Sequence, residues 1–267
     1  MAFEVRDIDE TQAPLLDHLI ELRARLLRAI AAIAVSFCVC LYFAADIFGF
    51  LVRPLTKAFP PGQGKLVYTK LYEAFFVELK VALFAAFFIS FPVIANQLWA
   101  FIAPGLYAKE KKAFLPFLIA TPVLFTLGAS MAYFFVMPTA FKWLLDFQGQ
   151  KGGLNIEALP AAGDYLGLVM QFIMAFGISF LLPVLLLLLN RAGIVSRAKL
   201  VSLRRYVIVV LTAVAAVITP PDLLSQIMLM VPLLVLFEGS LLIMWLGERK
   251  EAKAAAVQQA QPPAVIP

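Results

Sequence analysis

Apolar residues gather along this chain in six blocks, at about 29–50, 75–101, 114–137, 166–189, 207–219 and 223–246, with short polar stretches between them. A block of about 20 such residues is long enough to cross a hydrocarbon layer of about 30 Å as a helix. A helix is favoured there because it satisfies its own backbone hydrogen bonds. The pattern therefore predicts an all-α integral membrane protein with six transmembrane helices. The fifth block is short; its 13 residues reach roughly 20 Å at about 1.5 Å per residue. Ahead of the first block, Leu15, Leu16, Leu19, Leu22 and Leu26 recur at helical spacing, which predicts an amphipathic lead-in. Residues 1–14 read as a mobile polar N-terminus, 15–246 as the membrane domain, and 247–267, rich in Ala, Gln and Pro, as a disordered tail.

Prolines punctuate the blocks at Pro92, Pro116, Pro122, Pro138, Pro183 and Pro232. An interior proline removes a helical hydrogen bond and favours a kink. Helices bent in this way are expected to pack into a curved, concave wall.

Composition sharpens the class. The chain is 63% hydrophobic and 15% charged, with a mean hydropathy of +0.91, which excludes an ordinary soluble domain. The first block is too long, and lacks the small-residue cleavage site, for a removable signal peptide. The net charge of +5 comes from basic residues beside apolar blocks, so it points to anionic lipid and away from nucleic acid. Of the 22 Lys and Arg residues, 15 lie in segments on the N-terminal side of the membrane and 7 on the other. That bias predicts cytoplasmic N- and C-termini. Cys38 and Cys40 would stand about 200° apart on a helix, too far round for a mutual disulfide.

Catalytic chemistry is missing from the pattern. His18 is the only histidine, and neither a metal-ligand cluster nor a phosphate-binding glycine loop is present. Ser90, Ser130 and Ser179 have no base nearby in sequence. The chain reads as a non-enzyme without cofactor or metal. Glu238 is the one carboxylate deep in the sixth block, where a charge costs at least about 2.5 kcal/mol to insert. A packing hydrogen bond and a functional role both remain open for it. Gln171 and Gln226 are cheaper and are expected to bridge helices. In Thr219-Pro220-Pro221-Asp222 the two prolines set a turn, and Asp222 is placed to cap the helix that follows.

Two further acids, Glu21 and Glu110, sit among basic residues on the expected cytoplasmic side. Glu21 has Arg25 four residues on, and Glu110 is flanked by Lys109, Lys111 and Lys112. Ordinary surface pairing would be worth only about 0.3–0.5 kcal/mol at helical spacing. A guanidinium donated by a ligand would make charge-assisted bonds of about 1.5–3 kcal/mol each. Two such contacts would separate an Arg-Arg peptide from other basic peptides, because Lys lacks the planar fork.

Taken together these residues resemble the TatC family, the multispanning core of the twin-arginine protein translocase. The resemblance runs from Leu16 to about Trp245. It is carried by His18-Leu19-Ile20-Glu21-Leu22-Arg23-Ala24-Arg25, by Pro92 with Gln97-Leu98-Trp99-Ala100-Phe101-Ile102-Ala103-Pro104-Gly105-Leu106-Tyr107 and Glu110, by Phe176-Gly177-Ile178-Ser179-Phe180, and by Thr219-Pro220-Pro221-Asp222 with Ser225-Gln226, Pro232 and Glu238. Pro54 matches a family position as well. The resemblance implies a receptor in the bacterial cytoplasmic (inner) membrane that recognises twin-arginine signal peptides of folded cargo. Glu21 and Glu110 match the acids that meet the arginines, and Arg23, Arg25 and Phe101 match neighbours that shape that surface. It further implies single-span TatB and TatA partners, a homo-oligomeric receptor complex and transport driven by the proton-motive force. Thr219 and Gln226 match polar contacts for partner helices, with Gln171 as a further candidate. One position departs: where the family usually carries a polar residue after the Phe-Gly-x-x-Phe run, this chain has Leu181. The alternative is a proton-coupled small-solute secondary transporter built around Glu238. It lacks the internal repeat such transporters typically show.

Overall fold

The computed structural model describes residues 8–60, 64–106, 111–219 and 223–260. Its helices are α1 (Ile8–Tyr42), α2 (Ala44–Ala58), α3 (Glu73–Leu106), α4 (Lys111–Met131), α5 (Met137–Leu145), α6 (Ala162–Ser179), α7 (Leu182–Arg191), α8 (Arg197–Ser202), α9 (Arg204–Ile218) and α10 (Leu223–Ala260). A π-helical turn, Ala132–Val136, joins α4 to α5. Strands β1 (Gly149–Lys151) and β2 (Leu154–Ile156) form an antiparallel hairpin. The block pattern gave no hint of that hairpin. Gly152 and Gly153 turn it with φ of +61° and +82°, values that L side chains rarely adopt.

By length and composition, five helical stretches among the described residues could cross a membrane: His18–Tyr42, Glu73–Phe101, Pro116–Leu145, Ala162–Arg191 and Leu223–Lys250. The short fifth block forms α9, whose 15 residues span only about 22 Å and which is not among these five stretches. Other boundaries move too. The first block does not continue to residue 50, because the helix breaks at Phe43 and restarts as α2. α2 is two-faced: it buries Leu51, Val52, Pro54 and Leu55 and exposes Arg53 and Lys57. At the other end α10 runs past Gly247, where the tail was expected to begin, as far as Ala260.

The chain forms two compact units. In the first, made of residues up to Val123 plus Leu145–Met170, α1 lies along α3. Cys40 of α1 and Ala44 at the start of α2 cluster with Ala82 and Ala86 of α3, with Ile33 and Phe37 packed round them. Small side chains let two membrane helices approach closely, where dispersion and hydrogen bonds must hold them. The Ser90 hydroxyl supplies the latter, lying 3.0 Å from the Ala32 carbonyl oxygen and 2.9 Å from the Ser36 hydroxyl. At the far end of this unit Val67 forms a parallel bridge with Ala161. Glu73 accepts from the Thr69 N–H and hydroxyl, the Lys70 N–H and, 90 residues away, the Gly163 N–H. The Tyr165 hydroxyl donates to the Leu51 carbonyl at 2.9 Å, fixing α2 to α6.

The second unit, Leu124–Leu144 with the chain from Gln171, is built round Phe125, Phe176, Leu229, Leu233 and Phe237. Here α4 and α6 meet at glycines. A Cβ on Gly128 would lie 2.4 Å from the Phe176 carbonyl oxygen, and one on Gly177 would lie 2.7 Å from the Phe125 ring. The fourth span breaks at Phe180 and Leu181, just ahead of Pro183. There the Leu181 N–H drops back to the Ile178 carbonyl at 3.0 Å, a tightened turn of the kind a following proline promotes. The π turn before Pro138 marks a second such site. By contrast, α3 and α10 continue through Pro92 and Pro232 without interruption.

Candidate binding site at the charged end of the first span

Glu21 lies in α1 where the apolar stripe gives way to charge, and it is half-buried. One turn on, Arg25 donates from Nε at 3.0 Å, and from Nη2 closer still, both to Oε1 of Glu21. One turn back, His18 Nδ1 stands 4.0 Å from the other oxygen, Oε2. That separation is too long for a hydrogen bond. The His18 ring stacks on Phe101 of α3, with centroids 4.2 Å apart and planes 19° from parallel. Arg25 therefore secures one carboxylate oxygen, and the second opens beside a pair of flat rings.

The supporting helix is anchored just behind. The Trp99 indole N–H donates to the Thr121 hydroxyl at 2.7 Å, which in turn donates to the Phe117 carbonyl. Phe101 follows two residues later on the same helix, about 200° round from Trp99. The buried Oε1 of Gln97, one turn before Phe101, has no hydrogen-bond partner among the described residues.

The structure thus brings Glu21, Arg25 and Phe101 together and adds His18, which the sequence reading set aside as a lone histidine. The available signal was its i, i+3 spacing to Glu21. Arg23 does not join the group: it is exposed, and two residues of helix turn it about 200° away from Glu21. Glu110 and Asp222 lie outside the described residues.

Of the remaining polar candidates, Thr219, Gln226 and Glu238 fall in or beside α9 and α10, and Gln171 is exposed on α6. Thr219 is buried and its hydroxyl donates to the Ala215 carbonyl at 2.8 Å. Gln226 is half-buried and its Nε2 donates to the Thr212 carbonyl at 3.4 Å, bridging α10 to α9. Glu238 accepts from Arg204 Nη2 at 2.7 Å, so α9 supplies the cation that neutralises the one acid deep in the last span. A second pair, Arg197 to Glu248 at 2.7 Å, ties α8 to α10. Pro54 is buried inside α2, and Pro92 is exposed on α3. Among the described residues no group of three or more His, Cys, Asp or Glu is placed to hold a metal ion.

Long apolar helices with charge confined to their ends and to neutral pairs define a multi-pass helical membrane protein. The family model for the Sec-independent protein translocase protein TatC matches residues 17–232, and the chain belongs to that family. It is 49% identical to the Magnetococcus marinus TatC protein over 252 residues, covering 94% of this chain and 91% of that one. The Escherichia coli K12 TatC protein is 40% identical over 231 residues, covering 86% and 87% of the two chains. A crystal structure described as the twin arginine translocase receptor TatC, in the detergent DDM, superposes with a TM-score of 0.74 at 38% identity, covering 85% of this chain and 98% of that one. The protein is accordingly a component of the Sec-independent, or Tat, protein translocase.

Proposed function

We propose that this protein is the signal-peptide receptor of its translocase. It binds the paired arginines of twin-arginine signal peptides on folded precursors, with Glu21 and Glu110 as the two acceptors. The single observation that carries this reading is the Glu21 carboxylate: one oxygen is held by Arg25 and the other opens beside the His18–Phe101 stack. A guanidinium is the cation that suits a carboxylate oxygen next to flat rings. The similar crystal structure is described as that of a translocase receptor, which supports the same reading.

In this proposal the protein resides in the bacterial cytoplasmic membrane with both termini cytoplasmic, so the Glu21 end of α1 meets the cytoplasm. α9 serves as the short fifth span. TatB- and TatA-type single-span proteins dock along the face bearing Gln226 and Thr219, with Gln171 at another depth, and several receptor copies assemble. The proton-motive force drives export. The transporter reading needs Glu238 as a free proton carrier, and the Arg204 ion pair favours the receptor instead.

Photocrosslinking tests the proposal. A signal peptide carrying a photoreactive group is added to membranes containing wild type, Glu21→Ala or Glu110→Ala, with Arg-Arg and Lys-Lys versions compared. Crosslinks that need both arginines and fall with either substitution are expected. Crosslinks indifferent to the arginines would reduce the acids to surface ion pairs.

A further inference from the structure

The carboxylate of Glu21 is divided between two neighbours in an unequal way. Arg25, 20% exposed, places both of its donors on Oε1. A carboxylate offers about four acceptor positions over its two oxygens, so Oε2 retains its capacity. Among the described residues His18 stands near it, at 4.0 Å and without a hydrogen bond. The His18 side chain is 52% exposed, yet it is not loose: its ring lies flat on Phe101 at 4.2 Å. One ring face is covered by Phe101 and the rest of the imidazole borders the approach to Oε2.

A donor that reaches Oε2 must therefore come in beside an aromatic plane that is already fixed. A guanidinium is itself planar and weakly hydrated, and it can donate to a carboxylate while stacking on a ring. An ammonium donates as well but gains little from the flat face and keeps its water. Arg23 and Arg28, both exposed on the same helix, raise the positive charge that any cation must overcome, so a purely electrostatic acceptor would discriminate little between the two.

We propose that His18 is a specificity-determining residue: stacked on Phe101, it forms the flat wall that makes Glu21 select a guanidinium over an ammonium. This rests on the receptor reading and deepens it. The competing explanation is that the His18–Phe101 stack only joins α1 to α3.

The test uses the full-length protein in detergent and fluorescent signal peptides bearing Arg-Arg or Lys-Lys, with equilibrium binding measured for wild type, His18→Ala, His18→Leu, His18→Phe and Glu21→Gln. Loss of the ring is expected to weaken Arg-Arg binding roughly 3- to 30-fold, the range set by exposed to desolvated cation–π contacts. Lys-Lys binding should change by less than about 2-fold, so the ratio between the peptides collapses. His18→Phe keeps a flat ring and should keep most of the ratio. His18→Leu fills similar volume without a ring and should behave as His18→Ala does, which covers the case where the alanine variant fails to fold. Equal weakening of both peptides, or no change in the ratio, would overturn the proposal and leave His18 as a packing residue. If Glu21→Gln leaves wild-type discrimination untouched, the receptor reading fails instead. If Glu21→Gln abolishes it and the His18 variants do not alter it, only the role of His18 fails.

Discussion

Gly128→Ala is the sharpest test of how the second unit packs. A Cβ at this position would sit 2.4 Å from the Phe176 carbonyl oxygen and 2.8 Å from the Phe180 ring. The backbone oxygen cannot swing aside, so α4 and α6 must separate. Forcing one carbon into a tight contact costs about 1–3 kcal/mol, and a rigid partner places the cost at the upper end. Against this, Ala gains up to about 1 kcal/mol over Gly in a helix. The net expectation is a loss of about 1–2 kcal/mol. Gly177→Ala meets a softer obstacle, the Phe125 ring at 2.7 Å, which can rotate or shift; the two terms should nearly cancel. Gly239→Ala, with nothing within 4 Å, should be neutral or slightly stabilising. Thermal unfolding of the three variants in one detergent reads the series. At roughly 2–4 °C per kcal/mol for a chain of this size, Gly128→Ala should unfold about 2–8 °C below wild type and Gly239→Ala at or above it. A Gly128→Ala protein as stable as Gly239→Ala would refute the close approach of α4 and α6.

Other perturbations test other joints. Arg204→Glu leaves Glu238 facing a like charge inside a membrane span and should lower folded yield sharply, whereas Arg204→Glu with Glu238→Arg restores the pair and should recover it; equal damage in the single and double variants would argue against the pairing. Glu73→Ala strips the acceptor that gathers Thr69, Lys70 and Gly163, and limited proteolysis should then cut residues 64–72 at least several-fold faster than in wild type. Thr121→Val removes the acceptor of the buried Trp99 indole and should cost about 1–3 kcal/mol, seen as an earlier unfolding midpoint. Leu181→Glu restores the polar type usual in the family and should change which partner helix crosslinks at that position; an unchanged crosslinking pattern would count against Leu181 as a determinant of partner register.

Much of this was legible in the residues, for reasons that also explain what was not. Hydropathy blocks located the spans because a bilayer rewards length and apolarity directly. They could not locate the break at Phe43, since α1 and α2 are apolar on both sides of it and only the two-faced burial of α2 separates them. Pro183 correctly marked an interruption, while Pro92 and Pro232 did not interrupt their helices, because neighbouring turns can absorb a single missing N–H. The Glu21–Arg25 pair was visible as i, i+4 spacing. That both Arg25 donors fall on one oxygen was not, because it depends on rotamers. His18 gained meaning only through Phe101, a residue of another helix. The Glu73 cluster joins residues 90 apart, and nothing local announces it. Glu238 stayed open between packing and function until Arg204 appeared beside it. For that acid the neutral pair, not the charge, was the missing fact.

The central claim is that Glu21 recognises a guanidinium of the signal peptide, and a double-mutant cycle measures that directly. Binding of Arg-Arg and Lys-Lys peptides is determined for wild type and for Glu21→Gln, and the coupling between the two changes is taken from the four constants. The receptor account expects a coupling clearly above zero, with a ceiling of about 1.5–3 kcal/mol, the whole worth of one charge-assisted hydrogen bond, because a lysine keeps part of that bond. Both peptides weakening by the same factor on loss of Glu21, giving a coupling near zero, would contradict it.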